Sequence, residues 1–346
     1  MKYLPTAFML IFLGVGFIMS LFNPVTFNSP QGHNFIKGEW TAAYEKQFND
    51  NLPIRQLAID TWGVLEYLFF REGREGVLVG TNGWLYTNEE FLRYSNGEKA
   101  FRDKLQLAIT AKKRLEQQEV SFLVVVVPDK ARIYPEYLGR YEYPTYLEAR
   151  YETFIETLRD EGVDVVDLRQ PLLQAKTNED VFLRTDTHWT PFGTEAAATA
   201  IAHVVEAKEL LPSFANTVFR TEKLSLIEHK GDLLSFIPLG KLQERLGPPF
   251  DILEERVTEQ ENNALGLFGS ETIPVTLVGT SYSANPNWHF EGHLKAALGA
   301  DVLNMADEGL GPVQPLESYL KSDELSDTPP ELVIWEVPER FIFDSD

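Results

Sequence analysis

The chain has 346 residues and a formal net charge of −21, which argues against nucleic acid as a partner, because phosphate binding needs clustered Lys and Arg. Hydrophobic residues make up 44% of it, including 23 Phe and 13 Tyr, so a sizeable core is expected and wholesale disorder is not. Cysteine is absent, which excludes disulfides, thiolate metal sites and a cysteine nucleophile.

Residues 4–22, LPTAFMLIFLGVGFIMSLF, carry no charged side chain. As a helix, these 19 residues span roughly 28 Å, close to the hydrocarbon thickness of a bilayer. Lys2 precedes the run and no charged residue follows until Lys37, so the charge bias places the N-terminus inside. The run ends in MSLFNP, a poor cleavage site. The expectation is an uncleaved signal anchor over residues 1–23, with the bulk of the chain outside the cytoplasmic membrane. A cleaved signal peptide and a buried core helix are the alternatives.

Residues 24–39 are polar with Pro and Gly and read as a linker. Helices are expected at 40–50 and from Pro53 to about Glu72. GVLVGTNGWLYTNEEF (76–91) predicts a hairpin, because Asn82 and Gly83 both tolerate positive φ. An amphipathic helix is expected at 99–118.

From residue 121 the rhythm changes. SFLVVVVP (121–128) reads as a strand buried on both faces. A helix at 145–160 follows, then strands at 163–168 and 180–184 and a helix at 192–207. After a long insertion (208–272), IPVTLVG (273–279) is again a buried strand. A helix at 288–298, a strand at 300–305, a helix near 315–321 and a strand at 331–337 complete the chain. Alternating strands and helices predict an α/β fold, a three-layer sandwich with a mainly parallel central sheet, over residues 40–346. In such sheets functional residues collect past the carboxyl ends of strands.

Two strand ends carry chemistry. DVFLR runs into TDTHWTP (185–191), with Asp186 and His188 two positions apart. In extended backbone, residues i and i+2 point the same way, so a carboxylate reaches its neighbour's Nδ1–H and leaves Nε2 free to take a proton. VTLVG runs into TSYSANP (280–286), with Ser281 just past Gly279. A serine nucleophile needs such a base, and a small Gly beside it permits a sharp turn and lets backbone N–H groups face an oxyanion. Pattern alone leaves a second reading open, in which Asp186, Thr187 or Thr190 caps the helix beginning near Pro191. Trp189 is either pocket wall or core. His289 and His293 are four apart, a spacing that can place two ligands on a metal. HFEGH is not the H-E-x-x-H arrangement and no third ligand is evident, so no metal and no cofactor are expected. His203 is read as structural and His229 as part of a charged loop. Gly279, Tyr282, Asn285, Trp189, His289 and Arg340 are the candidates for the substrate pocket or oxyanion site.

DTHWTPFG (186–193) and GTSYSANP (279–286) together resemble the SGNH-hydrolase-like domain of bacterial exopolysaccharide O-acetyltransferases of the alginate AlgJ/AlgX group. GVLVGTNGWLY (76–86), VVVVPDKARIYPE (124–136), KGDLLSF (230–236) and VIWEVPERF (333–341) agree with that resemblance, which runs over roughly residues 40–345. It implies a triad of Asp186, His188 and Ser281, permuted relative to ordinary SGNH hydrolases because Asp-x-His precedes the serine. The expected lack of a C-terminal carbohydrate-binding module and the N-terminal anchor make the AlgJ branch the nearer one.

The resemblance further implies a periplasmic enzyme on the inner membrane. It would acetylate a secreted polysaccharide, alginate foremost, through an acetyl-serine. The acetyl source would be a membrane-bound O-acyltransferase, with other acetylation and secretion proteins as partners. A plain acetyl esterase with the same triad and a non-catalytic polysaccharide-binding scaffold are the rivals. The acidic surface repels an anionic polymer. Either Lys130, Arg132 and Arg340 form a local basic groove, or capture is weak, or the polymer is neutral.

Overall fold

The computed structural model describes residues 4–23, 25–261 and 273–344. The chain divides into two compact units, residues 1–73 with 237–247, and residues 74–236 with 248–346.

The first unit is helical. Leu4–Leu21 forms one helix, followed by Glu39–Asn51 and Arg55–Leu65, and Glu66–Phe70 continues the last as a wider π turn. Gly16 is buried because Ile54 packs on it; a Cβ there would meet Ile54 at 3.2 Å. One turn on, the Ser20 hydroxyl donates to the Gly16 carbonyl at 2.8 Å. The predicted anchor begins in residues 1–3, and Pro24 opens the predicted linker; both places lie outside the described residues. Among the described residues no helix is long and apolar enough to cross a membrane.

Among the described residues, the second unit is built on nine strands. The hairpin pairs β1 (Val77–Val79) with β2 (Leu85–Thr87). Asn82 and Gly83 turn the chain with φ of 55° and 81°, as the Asn-Gly pair predicts. β3 (Ser121–Val127), β4 (Asp164–Asp167), β5 (Phe219–His229), β6 (Asp251–Gln260), β7 (Val275–Val278), β8 (Val302–Asn304) and β9 (Leu332–Pro338) follow. Five of them form one sheet in the order β4-β3-β9-β7-β8, with every adjacent pair parallel.

Side chains alternate across this sheet, so the unbroken apolar runs serve two cores at once. Leu123, Val125 and Val127 join Leu277 and Ile334 on one face, under the helices Pro191–Ala207 and Phe290–Leu298. Phe122, Val124 and Val126 join Val333, Trp335 and Val337 on the other, under Gly97–Glu116, Thr145–Asp160 and Val313–Leu320. The three layers of the expected sandwich are therefore present.

Two expectations change. Residues 180–184 are not a strand of the sheet; Phe182 makes only an isolated antiparallel bridge to Trp189. The segment doubles back on itself, with the Leu183 N–H donating to the His188 carbonyl at 3.0 Å. The charged loop expected around His229 changes too, because within the insertion β5 and β6 pair along most of their length as an antiparallel ribbon. Residues 262–272 of the insertion lie outside the described residues.

Candidate active site

Ser281 opens a short helix, Ser281–Ala284, just past the carboxyl end of β7. Thr280 caps that helix by accepting the Tyr282 N–H on its hydroxyl at 3.3 Å. The turn is fixed from below by Glu336 on β9, a fully buried carboxylate. Glu336 accepts the Thr280 N–H at 2.8 Å and the hydroxyls of Thr280 and Ser283 at 3.0 Å. Burial raises its pKa, and these hydrogen bonds only partly offset that. Gly279 must be glycine here, because a Cβ would lie 2.5 Å from Glu336 Oε2.

The Asp186–His188 loop arrives from the bridge between Phe182 and Trp189. Asp251, at the start of β6, holds it by accepting the backbone N–H groups of Arg184 and Thr185 at 2.8 and 2.9 Å. Lys130, itself fully buried, donates to the carbonyls of Asp186 and Arg184 at 2.8 and 3.2 Å. Gly231 lets the chain after β5 press against the same loop, where a Cβ would meet the Thr185 carbonyl at 2.1 Å.

The loop meets the nucleophile turn through His188. Its Nδ1 lies 2.7 Å from Asp186 Oδ1 and its Nε2 lies 2.8 Å from Ser281 Oγ. Asp186 is buried, while His188 and Ser281 keep partial access to solvent. Burial alone would raise the Asp186 pKa, but hydrogen bonds from His188 and His229 outweigh it and hold the carboxyl well below the usual range. An ionised Asp186 only accepts, so the imidazole proton sits on Nδ1 and Nε2 is free to accept from the serine hydroxyl. Trp288 stacks on His188 with ring centroids 5.0 Å apart and donates its indole N–H to the Ser281 carbonyl at 3.1 Å.

The remaining candidates divide. Tyr282 is buried; its hydroxyl donates to the Thr187 carbonyl at 2.9 Å and accepts from Arg340 Nη1 at 3.0 Å. Arg340 and Tyr282 thus brace the two loops against each other. Trp189 is a correction to the pocket reading: it is fully buried, donates to the Tyr282 carbonyl at 2.9 Å and packs on Phe290. Asn285 accepts the Asn287 N–H at 3.0 Å, and His289 Nε2 lies 2.7 Å from the Thr258 hydroxyl. Both line a cavity of about 250 Å³ beyond the nucleophile helix, with Lys295 and Asn304. Helix capping falls to Thr190, whose hydroxyl accepts the Gly193 N–H at 3.0 Å, and not to Asp186 or Thr187.

The basic-groove reading does not survive. Lys130, Arg132 and Arg340 are all turned inward. Arg132 and Arg150 pair with Glu339, at 2.6 and 3.1 Å, and Arg150 also with Asp129. Burial pulls the Lys130 ammonium down to about 8, with Glu90, Asp251 and Asp186 opposing.

His293 is committed through both ring nitrogens to Thr194 and Arg256, at 2.9 and 3.0 Å, and His289 Nε2 is engaged by Thr258. Asp186, His188 and Asp232 bring ligand atoms within 4.8 Å of one another. Each Asp186 oxygen already accepts two hydrogen bonds, and His188 Nδ1 carries a proton.

Besides Asp251 and Trp288, three residues escaped sequence reasoning. His229 closes β5 and places Nε2 2.8 Å from Asp186 Oδ2. The Asp232 N–H donates to that same oxygen at 3.0 Å, and its carboxylate accepts the Thr187 N–H at 2.9 Å. Glu336 is the third. A lone acid inside the apolar run ELVIWEV was its signal, and the segment KGDLLSF was that of Asp232.

The family described as SGNH hydrolase-like domain, acetyltransferase AlgX, matches residues 77–339. A probable alginate O-acetylase AlgJ of Pseudomonas syringae pv. tomato is 41% identical over 340 residues, covering 96% of this chain and 86% of the relative. One of Azotobacter vinelandii is 38% identical over 329 residues, covering 94% and 84%. Among solved structures, the O-acetyltransferase domain of Pseudomonas putida AlgJ superimposes with a TM-score of 0.73 at 40% identity, covering 79% of this chain and 94% of that one. With the family match spanning most of the chain and the sheet and loops arranged as above, this protein belongs to the SGNH hydrolase-like acetyltransferases.

Proposed function

We propose that this O-acetyltransferase moves acetyl groups onto hydroxyls of alginate through an acetyl-Ser281 intermediate. The observation that carries the reading is the unbroken hydrogen-bonded line from Asp186 through His188 to Ser281 Oγ. The relatives named alginate O-acetylases point to the polymer.

In the first half-reaction His188 Nε2 takes the serine proton as Oγ attacks the carbonyl carbon of an acetyl ester. The Tyr282, Ser283 and Ala284 N–H groups are already bonded to Thr280, so the Ser281 N–H is the backbone donor assigned to the developing oxyanion. The leaving alcohol departs with the proton from His188. In the second half, a sugar hydroxyl gives its proton to Nε2 and attacks the acetyl carbon, and the proton returns to Oγ. Asp186, held ionised, favours the imidazolium that forms in each half.

The charge-free N-terminal run is the proposed signal anchor (1–23), joined by a linker (24–39) to a periplasmic domain (40–346). A membrane-bound O-acyltransferase is the proposed acetyl source, and anchoring would raise the effective concentration of Ser281 near it. The acidic surface and the inward-turned Lys130, Arg132 and Arg340 favour weak capture of an anionic polymer, which lets one chain be released and modified at many places.

The test is to incubate purified protein with an acetyl ester, with and without alginate oligosaccharide. Acetylated oligosaccharide that disappears in Ser281→Ala is expected. Release of acetate alone, unchanged by acceptor, would assign the site to an esterase instead.

A further inference from the structure

Asp186 is gripped by two histidines, one on each oxygen. His188 occupies Oδ1 with its backbone N–H at 3.0 Å and its Nδ1 at 2.7 Å. His229 occupies Oδ2 with Nε2 at 2.8 Å, beside the Asp232 N–H at 3.0 Å. We propose that His229 is a positioning residue for acetyl transfer: its bond to Oδ2 stops the carboxylate from turning, so that Oδ1 stays on His188. The proposal rests on the reading of His188 and Ser281 as the reacting pair.

The physical need is plain. The terminal torsion of an Asp side chain is broad, so a carboxylate held on one oxygen swings easily. A swing of Asp186 loosens the Nδ1 bond that keeps His188 Nε2 aimed at Ser281. Without His229, Oδ2 would keep only the Asp232 N–H.

His229 is itself held in place. It ends β5 in register with Asp251, the residue that clamps the Asp186 loop. Its ring stands edge-on to Trp288 at 5.5 Å, and Trp288 lies flat on His188. The side chain keeps 16% of its surface exposed, and three carboxylates surround it, those of Asp186, Asp232 and Asp251. Nε2–H is a donor in the imidazolium and in one neutral tautomer, so the contact does not depend on one protonation state.

Partners that orient a reacting ligand typically cost roughly 10–100-fold when removed from metal sites, and the same order is expected here. The experiment compares His229→Ala and His229→Gln with wild type, using an acetyl ester donor and alginate oligosaccharide acceptor. His229→Ala should lose about 10–100-fold in kcat while KM for the acceptor holds within about twofold. Gln carries an amide donor of similar reach, so His229→Gln should recover most of the rate. His229→Leu, which fills the space without a donor, serves if the alanine variant fails to fold. Wild-type kcat in the non-donor variants, a loss confined to KM, or a Gln variant as slow as the non-donors would overturn the proposal. Ser281→Ala runs alongside; transfer retained there would instead overturn the reading on which the proposal stands.

Discussion

His188 Nε2 lies 2.8 Å from Ser281 Oγ although 93 positions separate the two residues. The short distance is produced by the sheet and the buried braces around it. β7 delivers Ser281, and Lys130, Asp251 and Tyr282 hold the His188 loop over it.

Asp186 acts on that pair by fixing the imidazole tautomer. Asp186→Asn replaces an acceptor with a donor on one side and is expected to lower acetyl transfer by roughly 10³–10⁴-fold, less than the loss in Ser281→Ala. Steady-state rates on one ester donor check the order. A variant with wild-type turnover would remove Asp186 from the mechanism.

The same carboxylate should leave a mark on stability. Its pKa is depressed in the folded protein, so its contribution is present above the ordinary carboxylate value of about 4 and is lost as pH falls further. Denaturant midpoints of the wild type and Asp186→Asn should therefore differ most near neutrality and converge progressively below about pH 4. A gap that stays constant or widens on acidification contradicts the assignment.

Gly279 and Glu336 should be energetically coupled. Gly279→Ala drives a methyl into Glu336 Oε2, at 2.5 Å in the present geometry, and should destabilise by about 1–3 kcal/mol while slowing transfer. In a Glu336→Ala background the Oε2 and Cδ contacts are gone and only the Cβ contact at 2.9 Å remains, so the penalty should fall clearly without vanishing. Additive effects in that double-mutant cycle would mean that the glycine serves some other need.

Lys130 is expected to support the loop rather than the polymer. Lys130→Met leaves the Asp186 and Arg184 carbonyls without their donor and should lower stability by about 1–3 kcal/mol. The salt dependence of turnover on an anionic acceptor should stay as in wild type, because the ammonium is fully buried. A flattened salt dependence would restore the basic-groove reading.

Much of this architecture was legible because its signals are local. The β-branched run at 121–127 and the Asn82-Gly83 turn each dictate their element from neighbouring residues. The Asp186-x-His188 spacing was legible in the same way. What failed depended on distant partners. The segment 180–184 has a strand's composition but folds back on Trp189, and the polar ribbon β5–β6 carries little apolar alternation to announce it. His229 therefore read as a loop residue, although β5 carries it to Asp186. Trp189 read as either pocket wall or core because it adjoins His188; the alternation of extended backbone turns it the other way, into the core.

The most direct measurement is the mass of the Ser281-containing peptide after brief exposure of the purified protein to an acetyl ester and rapid acid quench. The account predicts a gain of one acetyl group on Ser281, absent in His188→Ala and discharged when alginate oligosaccharide is added before the quench. Acetylated oligosaccharide formed with no adduct on Ser281, and at undiminished yield in Ser281→Ala, would contradict it.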